Sequence, residues 1–389
     1  MQRRSFVRLV GGGTVAAATL GSAGLAGCSA AMPSEAIEAW RGPGADMLSG
    51  DVRRWMLSYA ILAPHSHNLQ SWVVDLRSPG EIVLYCDLKR LLPQTDPYAR
   101  QIMMSHGTFL ELLHMAACEC GLRAEVVLFP EGAFGAAAVD GRPVARIRLV
   151  TDASVRKHPL FSQILRRRTN RSVYDIARPV PASTWERIAG SVEQRHVHVG
   201  FVGPENPGAL ATHRQIALEA WRIELTTPRT VMESYAVLRV GAAEVAQHRD
   251  GLTLLAPIPV ALARLGLFDR SKVPAPEDYA TTSQVADFDT KLATTPGFFW
   301  MVTDTNDRVT QVNAGRAYVR MQLAATAQGL GMQPLQQALQ EYVEQKGPYT
   351  GIHQQLAAPG QTVQMWARVG YGPEVEPAPR RRLEDFVRA

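Results

Sequence analysis

The chain has 389 residues, 46% apolar and 20% charged, which gives core material for one large body or two lobes and excludes a disordered protein. Its formal charge is +5, but residues 1–27 hold Arg3, Arg4 and Arg8 and no acid, so the rest carries only +2. That near balance excludes the strong basic footprint of a nucleic-acid partner.

Residues 1–27 read as an export signal and stand outside fold reasoning. Arg3-Arg4-Ser5-Phe6 has the form of a twin-arginine signal. The run from Leu9 to Gly27 is too weakly apolar for a membrane-spanning helix, which takes about 20 strongly apolar residues. Leu25-Ala26-Gly27-Cys28 has the form of a lipobox, in which the Cys28 thiol takes the lipid; ordinary cleavage near Cys28-Ser29-Ala30 is the other reading. The expectation is a protein exported to the periplasm or cell envelope and lipid-anchored to a membrane at Cys28. Residues 28–50, rich in Gly, Pro and Ala, are expected to form a tether, with a folded body from Asp51 to about Pro373.

The body opens with APHSHNLQSW, Ala63 to Trp72. Two histidines beside Ser66, Asn68 and Gln70 suit a metal or catalytic site, or a turn entering a strand. His65 and His67 point the same way on an extended chain, but no acid or cysteine stands near enough in sequence to complete a metal set. Strands are predicted at 71–76, 81–86, 124–129 and 145–150, around a helix over 107–122. Besides Cys28 there are three cysteines, Cys86, Cys118 and Cys120, an odd count that gives no full disulfide framework. His114 and Cys118 share a helix face but are too few to hold a metal, so core packing is the reading.

RRRTNR, Arg166 to Arg171, suits either a phosphate clamp of guanidinium forks and a hydroxyl or a solvated basic helix end. Beyond it, strands are predicted at 196–201, 298–304 and 364–369 and a helix over 315–330. GTFLELLHMAACECGL at 107–122 and GRAYVRMQLAATAQGL at 315–330 stand 208 residues apart, with matching first glycines, Ala pairs and Gly-Leu stops. This spacing predicts a duplicated α+β fold. Residues 251–297 have no counterpart in the first half and read as a helical hairpin on the core or as a lid. Arg380-Arg381-Arg382 alone reads as a tail. No GxSxG, HExxH, CxxC or strand-linked GxGxxG is present, so the chain offers no triad, zincin, Rossmann or P-loop site.

Four stretches together carry a resemblance. APHSHNLQSW resembles the P-S-S-x-N-x-Q-P-W loop of the nitroreductase superfamily of FMN enzymes. RRTNR with Ser172-Val173-Tyr174 resembles its Arg-x-Ser-x-(Lys/Arg) element, GRAYVRMQLAATAQGLGMQPL its late helix, and VGYGPEVEPAPRRR its C-terminal segment. The order differs from the family's, because the loop here precedes the arginine element. Two nitroreductase-like halves, 51–155 and 156–389, would explain this as a monomer mimicking the family's dimer, similar to the Acg-type branch. The implied fold is a duplicated α+β one, antiparallel-rich sheets flanked by helices, with one FMN site between the halves.

The resemblance implies cofactor contacts from Pro64, His65, Ser66 and Asn68 of the loop and from Arg167, Arg168, Thr169 and Arg171. It also implies a backbone passage at Pro334 and Leu335 and phosphate contacts from Arg380 and Arg381. Arg171 is the candidate for placing charge near flavin N1 and O2. His65 stands where the family often has serine and Ser71 where it often has proline; His65 is read as satisfying a loop hydrogen bond. No metal site is implied. The flavin carries the redox chemistry, so no catalytic side chain is required. The implied activity is reduction of a small electrophile, a nitroaromatic or quinone, by an exported oxidoreductase. The alternative is an FMN-sequestering protein closed by the insert.

Overall fold

The computed structural model describes residues 31–192 and 196–388. Arg3, Arg4 and Cys28, on which the export and lipid expectations rest, lie outside the described residues. The first half runs α1 (Ala45–Ser49), α2 (Val52–Ala60), β1 (Trp72–Asp75), β2 (Glu81–Cys86), α3 (Arg100–Glu119), β3 (Leu122–Leu128) and β4 (Pro143–Thr151). Its four strands pair antiparallel in the order β1-β2-β4-β3. In β2 every second side chain (Ile82, Leu84, Cys86) is buried, the period of a strand with one face on a core. That core lies under α3 and α2, around Trp72, Phe109 and Ile147. The opposite face carries Arg123, Glu125 and Arg148, with Glu125 paired to Arg123 along β3 at 2.5 Å and to Arg148 across to β4 at 2.6 Å.

The second half runs α4 (Ala182–Ala189), β5 (His198–Val202), α5 (Pro207–Thr226), α6 (Pro228–Ala236), β6 (Leu238–Val240), α7 (Gly241–His248), β7 (Leu252–Leu254), α8 (Pro257–Arg264), α9 (Tyr279–Ala293), β8 (Gly297–Thr303), α10 (Arg308–Ala327), β9 (Gly331–Pro334), α11 (Lys346–Leu356) and β10 (Thr362–Gly370). Its sheet is β5-β8-β10-β9, again antiparallel throughout. Replacing β1, β2, β3 and β4 by β5, β8, β9 and β10 turns one order into the other. The fold is a duplicated α+β one.

The two copies meet where α3 crosses α10, and the contact is reciprocal. A Cβ on Gly107 would stand 1.9 Å from the carbonyl oxygen of Val312, and one on Gly315 would stand 1.9 Å from that of Met104. Val312 is the counterpart of Met104 as Gly315 is of Gly107, so each helix uses the same patch against the other, as across a two-fold axis. The helix starts repeat the pattern. Arg100 donates to the carbonyls of Leu339 (2.7 Å) and Gln364 (3.0 Å), while Arg308, 208 residues on, donates to those of Tyr98 (2.7 Å) and Gly135 (2.8 Å). Each arginine clips its helix to the other half.

Three sequence expectations are corrected. Residues 33–41 do not behave as a tether: two 3-10 turns, Ser34–Ala36 and Glu38–Arg41, bury Ala36 and Trp40, because an indole gains more from a core than from water. The body does not stop near Pro373, since Leu383 and Phe386 join the first core and Val387 bridges Val74. The segment joining β5 to β8 spans 203–296 rather than starting at 251. Most of it is a third layer: Ala217 and Ala220 of α5 and Phe288 and Leu292 of α9 pack on the outer face of the second sheet against Phe298 and Trp366. Only its middle, α6 to β7, reaches the first half.

Candidate functional site

Within the APHSHNLQSW loop, His67, Asn68 and Gln70 hold φ of +47°, +54° and +55°. Each non-glycine residue in this left-handed region costs about 1 kcal/mol or more, so the surroundings must over-determine the loop. They do so from three sides. Helix α3 supplies Thr108 Oγ1, donating to Pro64 O at 2.7 Å, and Ser105 Oγ, accepting from Ser66 N at 3.2 Å. The C-terminal segment supplies Pro379 O, accepting from Asn68 Nδ2 at 3.1 Å, and the Arg381 amide, donating to Gln70 Oε1 at 2.9 Å. The insert supplies the Gly251 amide to Asn68 O at 3.1 Å and Arg249 O to Gln70 Nε2 at 3.0 Å.

His65 is spent inside the loop. Its Nε2 accepts from the Ser71 amide at 3.1 Å, which leaves the proton on Nδ1 for Ser66 O at 2.8 Å. Burial pushes its pKa down to about 3, so it is neutral at ordinary pH, and its ring stands edge-on to Trp72. His67 looks outward from the same turn. Its Nε2 lies 3.3 Å from Ser234 Oγ of α6 and its Nδ1 3.4 Å from Ser66 Oγ. Burial, helped by the nearby Arg171 charge, lowers its pKa to about 4.

The arginine element meets this loop from the other half. Arg167 is 2% exposed and donates to Leu62 O at 3.0 Å and Gln322 Oε1 at 3.2 Å. Arg380 is 3% exposed and donates to Asn68 Oδ1 at 2.6 Å, Ala63 O at 3.0 Å and Leu62 O at 3.2 Å. Arg168 donates to Leu165 O at 2.8 Å. The guanidinium carbons of all three stand around the Trp40 ring, 5.3 Å (Arg167), 4.7 Å (Arg168) and 5.1 Å (Arg380) from its centroid. Among the described residues none of the three is in an ion pair. Burial lowers Arg167 to about 10 and Arg380 well below its usual value, while both stay charged at neutral pH. The face of the indole replaces a counter-ion.

Arg171 is different. More than a third of it is exposed, yet it is set among Tyr174, Tyr318, His67 and Arg368, and desolvation lowers its pKa. A side chain that is wetted and also surrounded lines a concave surface. Tyr318 on α10 is 2% exposed with its Oη unpartnered, as are Nε of Arg167 and of Arg380.

The structure thus brings together Ser66 and Asn68 with Arg167, Arg168, Arg171 and Arg380, and leaves Thr169 half-buried between them. Arg381 diverges: it lies over the Phe386 ring and donates to Asp385 O at 2.9 Å, so it holds the loop's back. Pro334 pairs with Ala367 at the end of β9. The Leu335 amide is used by Trp366 O at 2.8 Å and its side chain lies in the core beside Phe298, so that amide is not available to a ligand. Sequence reasoning missed Trp40, Tyr318 and Ser234, and it set His67 aside together with the metal reading. A lone tryptophan in a Gly/Pro stretch was the available signal for the first; nothing local marked Ser234.

No family model matches the chain. It is similar to a Mycobacterium tuberculosis protein assigned by name to the NAD(P)H nitroreductases, 27% identical over 348 residues, covering 86% of this chain and 90% of that one. Among solved structures, one from Anabaena variabilis assigned by name to the nitroreductases covers 87% of this chain and 91% of its own at 10% identity and a TM-score of 0.44. An FMN-dependent nitroreductase from Mycobacterium smegmatis, in complex with NADPH, covers 58% and 96% at 15% identity and a TM-score of 0.37. Over 86% of its length, then, the chain is similar in sequence to a protein assigned by name to the NAD(P)H nitroreductases.

Proposed function

We propose that the chain is an exported FMN-binding oxidoreductase of nitroreductase type that reduces a small electrophile, a quinone or nitroaromatic. The observation that carries this reading is the convergence of Arg171, Tyr318 and the Ser66–Asn68 loop from both halves, with polar atoms on Tyr318, Arg167 and Arg380 left unpaired by protein. A donor set rich in guanidinium, with no ion-paired carboxylate, fits the phosphate and the anionic N1/O2 edge of a reduced flavin. Bound FMN would supply the hydride or electron transfer.

The chain's own residues then have distinct tasks. Arg171 places a positive charge against the ligand. Tyr318 offers an O–H donor from α10. Asn68, Gln70 and Arg380 hold the strained loop in the geometry that presents Ser66. One chain supplies both sides of the site, in keeping with a working monomer. The electron donor is proposed as NAD(P)H, after the name of the curated relative.

The purified protein tests this. A yellow spectrum that bleaches on anaerobic addition of NADPH and recovers with a quinone supports the reading; a colourless protein that takes up no FMN in equilibrium dialysis overturns it. A second reading, FMN sequestration, draws on the insert's hydrogen bonds to the loop through Gly251, Arg249 and Ser234. It predicts a yellow protein that NADPH does not bleach. Export rests on Arg3-Arg4 and lipidation on Cys28; the twin-arginine route carries folded proteins, so FMN would be loaded before export. The mass of the mature protein from membranes tests both: a diacylglyceryl adduct on Cys28 is expected, and an unmodified residue there overturns the anchor.

A further inference from the structure

Of the thirteen exposed large apolar side chains among the described residues, five lie between Ile258 and Tyr279. Three of these belong to α8 and its end. Ile258 and Leu265 stand seven residues apart, two turns along one helix face, and Leu267 follows; they are 66%, 73% and 64% exposed. Val260 points the other way and is buried.

This stretch is a built element, held from beneath. Gly266 closes the helix at φ of +69°, its amide donating to Ala263 O at 3.1 Å and the Leu267 amide to Leu262 O at 2.9 Å, the two bonds of a Schellman end. Phe268 packs edge-on against Tyr235 of α6, 5.7 Å between ring centres, and Arg270 pairs with Glu244 of α7 at 2.7 Å. Lys272 pairs with Asp269 at 2.8 Å, so the two basic groups just past the leucines are balanced by acids.

Size and chain geometry say what covers this face. An eight-residue helix is about 12 Å long, so its outward side offers far less than the roughly 800 Å² per partner that a stable dimer buries. Six residues separate Cys28 from Ser34 and span about 22 Å at most. The turn Ser34–Ala36 packs on α7, and a Cβ on Gly241, the first residue of α7, would stand 3.5 Å from Val260 Cγ1 of α8. A lipid on Cys28 therefore keeps a bilayer within reach of α8.

We propose that α8 and Leu267 dock in the surface of a lipid bilayer, with Ile258, Leu265 and Leu267 as the inserted side chains. The inference rests on the Cys28 anchor proposed above. An anchored face needs little affinity of its own, because the anchor raises its effective concentration at the lipid. With the neighbouring charges balanced the contact is apolar, and salt does not release it. Docking fixes the insert, and through the Gly251 amide on Asn68 O the strained loop, in one orientation to the membrane.

Hydrogen exchange over residues 257–268 of the full chain, with and without neutral phosphatidylcholine vesicles, tests this. Vesicles are expected to slow exchange there tenfold or more, equally in low and high salt. Leu265→Glu combined with Leu267→Glu abolishes the slowing and leaves the melting temperature unchanged, since both side chains are exposed. Exchange that vesicles leave unchanged in a protein carrying the Cys28 lipid overturns the proposal. The same measurement on Cys28→Ser separates the face from the anchor. If Cys28 proves unmodified, slowing at higher lipid concentration still supports the face, and its absence overturns it. A face protected without vesicles, in a dimer that Leu265→Glu disperses, also overturns it, in favour of a second copy of the chain.

Discussion

The two sheets have one topology and two fates. In the first, β1 and β2 are joined by the short turn 76–80, and the outer face stays in water. There β4 alternates the buried Ala145 and Ile147 with Arg146 and Arg148, and β3 alternates the half-buried Leu122, Ala124 and Val126 with Arg123, Glu125 and Val127. In the second, the same connection expands to 203–296, and its helices cover that face. As a result β10 is buried at every residue after Thr362. Duplication supplies the frame, and the difference between the copies supplies what is specific: a third layer, and a middle segment that reaches over to the strained loop of the first half.

The strongest way to break this comparison is at the helix crossing. Gly107→Ala and Gly315→Ala each drive a Cβ into a backbone carbonyl, so each costs at least about 3 kcal/mol or prevents folding. Because the contact is reciprocal, the two losses should match within about 1 kcal/mol in urea melts; a loss at one site alone would disprove the pseudo-two-fold. Gly121 and Gly329, also 208 apart, are the controls. They end the two helices at φ of +67° and +71° with open space around them, so alanine there costs only about 1 kcal/mol.

Next in size is Arg380→Ala. It leaves the Ala63 carbonyl and the Asn68 amide oxygen unpaired in a dry place, takes one of two guanidinium donors from the Leu62 carbonyl, and removes one cation from Trp40. The expected loss is about 2–4 kcal/mol, and Arg380→Lys restores only part of it because an ammonium cannot fork across those carbonyls. Thermal melts check both. A neutral Arg380→Ala would mean that the loop is held by the insert alone.

The pH dependence of stability sets a carboxylate of the second half against histidines of the first. His65, His67 and His106 have folded pKa values of about 3, 4 and 4 against 6.5 unfolded. The unfolded chain gains protons below pH 6.5 and the folded one does not, so their stabilisation is present above 6.5 and is lost as pH falls toward 4. Each contributes up to about 1.4 kcal/mol per pH unit in that window. Glu224 has the opposite sign. Its folded value, about 7 against 4.5, means stabilisation present below 4.5 and lost as pH rises to 7. Glu224→Gln should therefore gain stability relative to the parent between pH 5 and pH 7. Melts at both pH values that move in parallel would rule that sign out.

Periodicity made the frame legible. The alternating strands became elements close to their expected bounds, and the Gly-Leu stops fall just past the ends of α3 and α10, but both helices begin seven residues before 107 and 315, at Arg100 and Arg308. What stayed hidden depends on long-range packing. β9 is a four-residue edge strand whose one strand partner among the described residues is β10. Trp40 sits in a stretch whose composition says linker, and the partners that bury its ring are distant in sequence: the first core, the Ala378 carbonyl at 2.8 Å from its Nε1, and Arg167, Arg168 and Arg380. The arginine motif was visible, but composition could not divide its members. Burial spends Arg167 and Arg380 on backbone carbonyls and leaves Arg171 to face outward.

That division yields the smallest expected change in stability and the sharpest functional one. Arg171 is partly exposed and makes no hydrogen bond among the described residues, so Arg171→Ala should shift unfolding by no more than about 0.5 kcal/mol. If it faces a bound flavin, the same change weakens FMN binding tenfold or more and lowers the flavin potential, since a cation near N1 favours the anionic reduced form. Isothermal titration and a redox titration read the two effects. An Arg171→Ala variant as destabilised as Arg380→Ala, with FMN affinity unchanged, would place Arg171 among the structural arginines and leave the two halves joined by a scaffold rather than by a site.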